Sequence, residues 1–146
     1  PKINKDLKFI KKNLPEAGGK VLQVGGSVLL PTLIEKGREY NVMEVDFHKA
    51  RALAFNKEIN KKSFKIIIKP PTPKNLEKIL GEGFDCLILD LERKGWGSLS
   101  VICQDNKNLI IKKPKKNKKE LNIILESLGF KKKDSSGGYY LYANES

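Results

Sequence analysis

Apolar positions along this chain follow two alternating rhythms. Ile3, Leu7, Ile10 and Leu14 recur at helical spacing, and Pro15 with the AGG at 17–19 predicts where that first helix stops. KVLQV (20–24) reads as a strand, is broken by two glycines, and gives way to a helix expected from Val28 to Lys36. YNVMEVD (40–46) reads as a second strand, and HKARALAFNKEIN (48–60) as a helix with Leu53, Ala54 and Ile59 turned inward. FKIIIK (64–69) predicts a third strand, PKNLEKIL (73–80) a short helix with Pro73 in its first turn, and FDCLILD (84–90) a strand apolar enough to be buried on both faces.

The last third continues the alternation. WGSLSVICQD (96–105) fits a short helix or a helical turn, and NLIIKK (108–113) a fifth strand. Leu121, Ile124, Leu125 and Leu128 stand at i, i+3, i+4 and i+7, with Gly129 placed to end their helix. FKKKD, an SSGG turn and YYLYA then predict a β-hairpin. The tyrosines at 139, 140 and 142 read as structural.

Strand and helix alternating in this way predict an α/β fold. A mostly parallel, twisted sheet carries helices on both faces, because parallel neighbours need right-handed crossovers, and the closing antiparallel hairpin suits its edge. No repeat or linker divides the 146 residues, which are expected to form one domain (1–146) that begins with the helix at 1–15. In such sheets a ligand sits beyond the carboxyl ends of the strands, where the strand order reverses. The residues just after each strand are therefore the candidates.

Charge changes the picture more than composition does. Lys and Arg total 29 against 17 Asp and Glu, a formal charge of +12, which suits a polyanionic partner such as RNA or DNA. A lysine-rich, solvated surface of the kind that AT-rich or thermophilic genomes encode gives the same total, so the distribution must decide. No apolar run reaches membrane-span length and the first residues lack a signal-peptide core, so no membrane association and a cytoplasmic location are expected. Cys86 and Cys103, each among apolar neighbours, read as small reduced core residues, and with the lone His48 they predict no metal site.

After the first strand, Gly25, Gly26 and Ser27 permit positive φ and close backbone approach to a ligand, although a plain tight turn would look similar. Asp46, twenty-one residues after Gly25, suits either of two roles: accepting the hydroxyls of a ribose, or capping the helix that follows. The loops after strands three and five, KPPTPK and KKPKKNKK, leave in the same direction as Arg93 and Lys94, concentrating positive charge on one edge. Its lysines, Lys112 and Lys113 among them, are either solvated or phosphate contacts. Trp96, between glycines, either stacks on a base or plugs the sheet edge.

KVLQVGGS, YNVMEVDFHKARALAFN and FDCLILD together resemble the class I S-adenosylmethionine-dependent methyltransferases, with the likeness running from about residue 20 to 143. The resemblance implies a Rossmann-like three-layer sandwich and S-adenosylmethionine as cofactor. It implies that Gly25, Gly26 and Ser27 lie beneath the methionine moiety, that Asp46 holds the ribose, that Phe47 lines the adenine, and that Lys69 stands where the family often has an acidic residue near that ring. Asp90 and Glu92 would be the catalytic candidates after strand four, and Arg93, Lys94, Trp96, Lys112 and Lys113 the substrate contacts. Three features depart from the family pattern: Gln23 replaces the usual acid before the glycines, SVLLP replaces the second half of the glycine loop, and DLERKGWG stands where an Asn/Asp-Pro-Pro-aromatic motif would be.

Two function classes follow. One is a methyltransferase acting on an anionic substrate such as RNA, for which in-line positioning of an already activated methyl group matters more than strong acid–base groups. The other is a catalytically inactive scaffold of the same fold that binds nucleic acid or a partner subunit through its basic edge. An oxidoreductase using a dinucleotide is disfavoured by the missing third glycine. With almost no insertion beyond the first helix to recognise a substrate, the chain is expected to form a homodimer, to bind a partner subunit, or to be a stretch of a longer protein.

Overall fold

The computed structural model describes residues 2–15, 18–34, 37–104 and 108–145, with side chains from Lys5 onward. Its elements run α1 (Lys2–Asn13), β1 (Lys20–Val24), α2 (Leu30–Ile34), β2 (Glu39–Met43), α3 (Phe47–Ile59), β3 (Lys65–Ile67), α4 (Pro73–Leu80) and β4 (Cys86–Leu89). A 3₁₀ helix (Arg93–Ser98) leads into α5 (Leu99–Ile102), and β5 (Asn108–Lys112), α6 (Lys118–Ser127), β6 (Phe130–Ser135) and β7 (Tyr139–Asn144) complete the chain.

The seven strands form one sheet in the order β3-β2-β1-β4-β5-β7-β6. β1 to β5 are parallel, and β7 pairs antiparallel with both β5 and β6. The order reverses between β1 and β4, where Val24 lies opposite Leu89.

Strand residues alternate between two cores, as the two-residue period of a pleated sheet requires. Val21, Val42, Cys86, Ile88 and Ile110 pack with α1, α2 and α3 through Ile10, Leu30, Ile34 and Leu53. Leu22, Val24, Leu87, Leu89, Leu109 and Ile111 pack on the opposite face with α4, α5 and α6 through Leu76, Leu99, Leu121 and Leu125. The predicted three-layer arrangement is the one observed.

Several boundaries differ from the sequence pattern for local reasons. The helix expected over 28–36 is the single turn Leu30–Ile34, with buried Pro31 tolerated in its first turn because the N–H it lacks has no helical acceptor there. The second strand ends at Met43 rather than at Asp46, since the Glu44 carboxylate accepts the next two N–H groups, those of Val45 and Asp46. In α3, Leu53 is buried as expected and joined by Ala50, whereas Ala54 and Ile59 face outward. The 96–105 segment is split between the 3₁₀ helix and α5. The side chain of Ile3, and Ala17, Lys36 and Asp105, lie outside the described residues.

Both cysteines are free and buried, and burial raises each thiol to about 12. Among the described residues no helix is long and apolar enough to cross a membrane.

Candidate functional site

The reversal point of the sheet is held by a short ladder of backbone bonds that continues past the strand ends. Asp90 N–H donates to Val24 O (3.0 Å), Gly25 N–H to Met43 O (2.9 Å) and Glu44 N–H to Ile67 O (2.9 Å). The chain then turns back through Gly25 and Gly26, with φ of 69° and 90°. A Cβ on Gly25 would sit 2.9 Å from the Asp90 carbonyl oxygen, and one on Gly26 would sit 3.4 Å from Asp90 Cβ. Two consecutive left-handed residues pressed against a neighbouring strand require glycine.

Gln23 explains how the altered turn keeps its shape. The side chain is buried, its amide donates to Gly25 O (2.8 Å) and Ser27 O (3.1 Å), and its oxygen accepts the Tyr40 hydroxyl (2.6 Å). A carboxylate has no proton to give those two carbonyls. The exchange of acid for amide is therefore matched to this turn, and Ser27 adds a bond from Leu29 N–H to its Oγ (3.2 Å).

The turn opens onto a cleft of about 460 Å³, lined by Gly25, Gly26, Glu44, Asp46, Asp90 and Glu92 among others. A neighbouring hollow of about 530 Å³ shares Gly26, Lys49 and Asp90 with it and adds Ser27, His48 and Lys112. Both fall within the size range of small-molecule sites, about 300–1,000 Å³. Four carboxylates rim the first cleft: Glu44 at the end of β2, Asp46 at the start of α3, and Asp90 and Glu92 after β4. Lys112 Nζ lies 3.8 Å from Asp90, and Lys94 Nζ 3.3 Å from Glu92.

Of the two roles open to Asp46, capping is the one whose hydrogen bond the structure displays. Its side chain caps α3 by accepting Lys49 N–H (3.0 Å), and that bond, foremost, holds its carboxyl below the usual aspartate range. Glu44, directly after the last paired residue of β2, is the carboxylate at the strand end, and Oε2 accepts Val45 N–H (3.0 Å) and Asp46 N–H (2.9 Å). Glu44 is hidden in the sequence pattern, which runs the strand three residues further, to Asp46. A single cue was available: in Glu-Val-Asp the aspartate stands directly before a helix, where an N-cap belongs.

The other expected site residues divide. Gly25, Gly26, Asp46, Asp90, Glu92 and Lys94 come together at the first cleft, and Ser27 and Lys112 join at the second hollow. Phe47 is exposed, stacked loosely by Arg51 at 5.7 Å, and neither it nor Lys69 lines either cavity. Arg93 pairs with Glu120 of α6 through bonds of 2.8–3.2 Å. Trp96 packs in the core between the 3₁₀ helix and α6, so of its two readings the structural plug is the one observed. Lys113 turns away from the cleft and lies 5.0 Å from the Tyr140 ring. No group of three or more potential metal ligands exists among the described residues.

No protein-family model matches the chain, and no curated protein does. Solved structures do match. The magnesium protoporphyrin IX methyltransferase of Synechocystis PCC 6803, with bound S-adenosylmethionine, superposes with a TM-score of 0.73 at 15% identity, over 98% of this chain and 78% of that one. The Methanococcus jannaschii fibrillarin pre-rRNA processing protein gives 0.69 at 18% identity, over 96% and 74%. TrmK of M. capricolum, in complex with S-adenosylhomocysteine, gives 0.67 at 15%, over 94% and 66%. The chain has the class I methyltransferase fold.

Proposed function

We propose that the chain is an S-adenosylmethionine-dependent methyltransferase acting on an anionic acceptor, with RNA foremost. The observation that carries this reading is the double-glycine turn at the reversal point of the sheet, which opens on a cleft rimmed by Glu44, Asp46, Asp90 and Glu92. Two similar folds hold S-adenosylmethionine or its demethylated product.

The residues present fit that cofactor. Left-handed Gly25 and Gly26 leave the backbone bare for close approach, Glu44 at the strand end is placed to take ribose hydroxyls, and the acidic rim suits a cationic sulfonium. When bound, S-adenosylmethionine supplies a methyl group already activated for displacement. The chain's own task is then to orient: the turn and Glu44 fix one side, while Asp90 and Glu92 stand after β4, where a proton could be taken from an acceptor. Lys112, beside Asp90, and Lys94, beside Glu92, carry positive charge at the mouth.

Titration calorimetry with S-adenosylmethionine tests the reading on the wild type, Glu44→Gln and Asp46→Asn. Wild type is expected to bind. Glu44→Gln is expected to weaken binding about tenfold or more, the worth of a charged hydrogen bond. Asp46→Asn keeps a competent cap and is expected to change affinity less than about threefold. A folded wild type that takes up no cofactor would overturn the proposal. It would favour the inactive scaffold, for which Gln23 in place of a carboxylate is the supporting feature.

A further inference from the structure

We propose that the groove between α6 and the β6–β7 hairpin, away from the cleft, is a docking surface for the phosphate backbone of RNA. The proposal rests on the anionic-acceptor reading above for its choice of polyanion. The groove, about 350 Å³, is lined by Lys118, Lys119, Asn122, Ile123, Lys132, Tyr140 and Tyr142. Its floor is stiff: the Tyr142 hydroxyl donates to Asn122 Oδ1 (2.6 Å), tying β7 to α6, and Tyr140 packs edge-on against Tyr142.

The cations are arranged rather than scattered. Lys113 and Lys132, nineteen residues apart, hold their ammonium groups 5.0 and 4.9 Å from the same Tyr140 ring. Lys118 and Lys119 open α6 beside them, and exposed Lys115 and Lys116 fill the connection from β5. Among the described residues none of these six lysines forms an ion pair, although pairs occur nearby at Lys133–Glu145, Lys12–Asp134 and Arg93–Glu120. The α6 carboxylates are engaged elsewhere, Glu120 by Arg93 and Glu126 by the Asn122 amide.

Protection of an edge strand would account for Lys131 to Lys133 on β6. It does not account for lysines on the far side of the groove, in α6 and after β5. Six unpaired like charges repel one another, and a partner with repeated negative charge relieves that cost along the whole row. Lysine point charges suit phosphates contacted without base reading.

The test is fluorescence anisotropy of a fluorescein-labelled 20-nucleotide single-stranded RNA, without cofactor, over a range of potassium chloride concentrations. Lys118→Glu/Lys119→Glu/Lys132→Glu is compared with Lys8→Glu/Lys74→Glu/Lys78→Glu, which changes the net charge equally on exposed positions elsewhere. Losing three phosphate contacts, at about 0.7 each on a single strand, is expected to flatten the salt slope by about 2 and weaken binding about a hundredfold at 0.1 M salt. The control triple is expected to stay within about threefold of wild type, and the Lys→Gln version of the groove triple to fall between. Equal losses in both triples, no loss in the groove triple, or a wild type that binds anionic phospholipid vesicles or polyglutamate but not RNA would each overturn the proposal. Cofactor calorimetry on the wild type separates the two readings: RNA binding that the groove triple loses, without any cofactor uptake by the wild type, leaves this surface standing and removes methyl transfer.

Discussion

Replacing Gly25 with alanine tests the physical basis of the cleft more directly than any ligand experiment. The residue has φ of 69°, where a side chain costs about 1–2 kcal/mol. The new Cβ would also lie 2.9 Å from the Asp90 carbonyl oxygen, a backbone atom of a residue whose N–H is tied to Val24 O and which is therefore not free to swing aside. Relieving that overlap by shifting the backbone adds about 1–3 kcal/mol. The sum, about 2–5 kcal/mol, is a large share of the roughly 5–15 kcal/mol that stabilises a domain. With a urea m-value of about 2 kcal/mol/M, the midpoint should fall by about 1–2.5 M. Gly83→Ala is the matched control: its φ is 81°, but no heavy atom lies within 4 Å of the added carbon. It should lose only the conformational part, about 1–2 kcal/mol. The difference between the two variants then measures the contact with Asp90 alone. Equal midpoints for Gly25→Ala and Gly83→Ala would refute the claim that the Asp90 backbone packs against the turn.

Two further outcomes follow from buried polar groups. Gln23→Glu places a carboxyl against the Gly25 and Ser27 carbonyls, so burial and the lost donor raise its folded pKa above the unfolded value. The variant should match wild type most closely below about pH 4 and lose about 1–3 kcal/mol or more as pH rises through the raised pKa, read from urea midpoints at several pH values. Burial, foremost, lifts Tyr139 and Tyr142 to about 12 and Tyr40 well above 10. Absorbance titration at 295 nm should show these three missing from the pH 10 wave. The stability linked to them is complete below about pH 10 and is lost as pH rises through about 12.

Much of the architecture was legible in the residues because it depends on local pattern. The apolar runs in KVLQV, CLIL and NLII predict strands, CLIL one buried on both faces, and the spacing of Leu121, Leu125 and their neighbours predicts α6, whatever these elements pack against. The glycine pair after β1 marked the turn, and Asp90 and Lys112 were placed on the correct edge, because in a parallel sheet the residues after the strands share one side.

What only the tertiary structure decided were pairings between residues distant in sequence. Glu44 rather than Asp46 stands at the end of β2 because the strand stops where Ile67 of β3 stops offering partners and a side chain takes the next N–H groups. Arg93 stands in the sequence as one more positive charge on the edge, and only α6 brings Glu120 to it across 27 residues. Trp96 has two readings in the sequence, and its burial in the core that also holds Leu121 and Leu125 of α6 selects the structural one. The lysine groove joins Lys113, Lys118, Lys119 and Lys132 only because β7 inserts between β5 and β6 and sets the Tyr140 ring among them. Periodicity reports how each segment meets an apolar environment, and it is blind to which segment supplies that environment. Strand order and helix docking supply it, and they set the partner of every charge at this site.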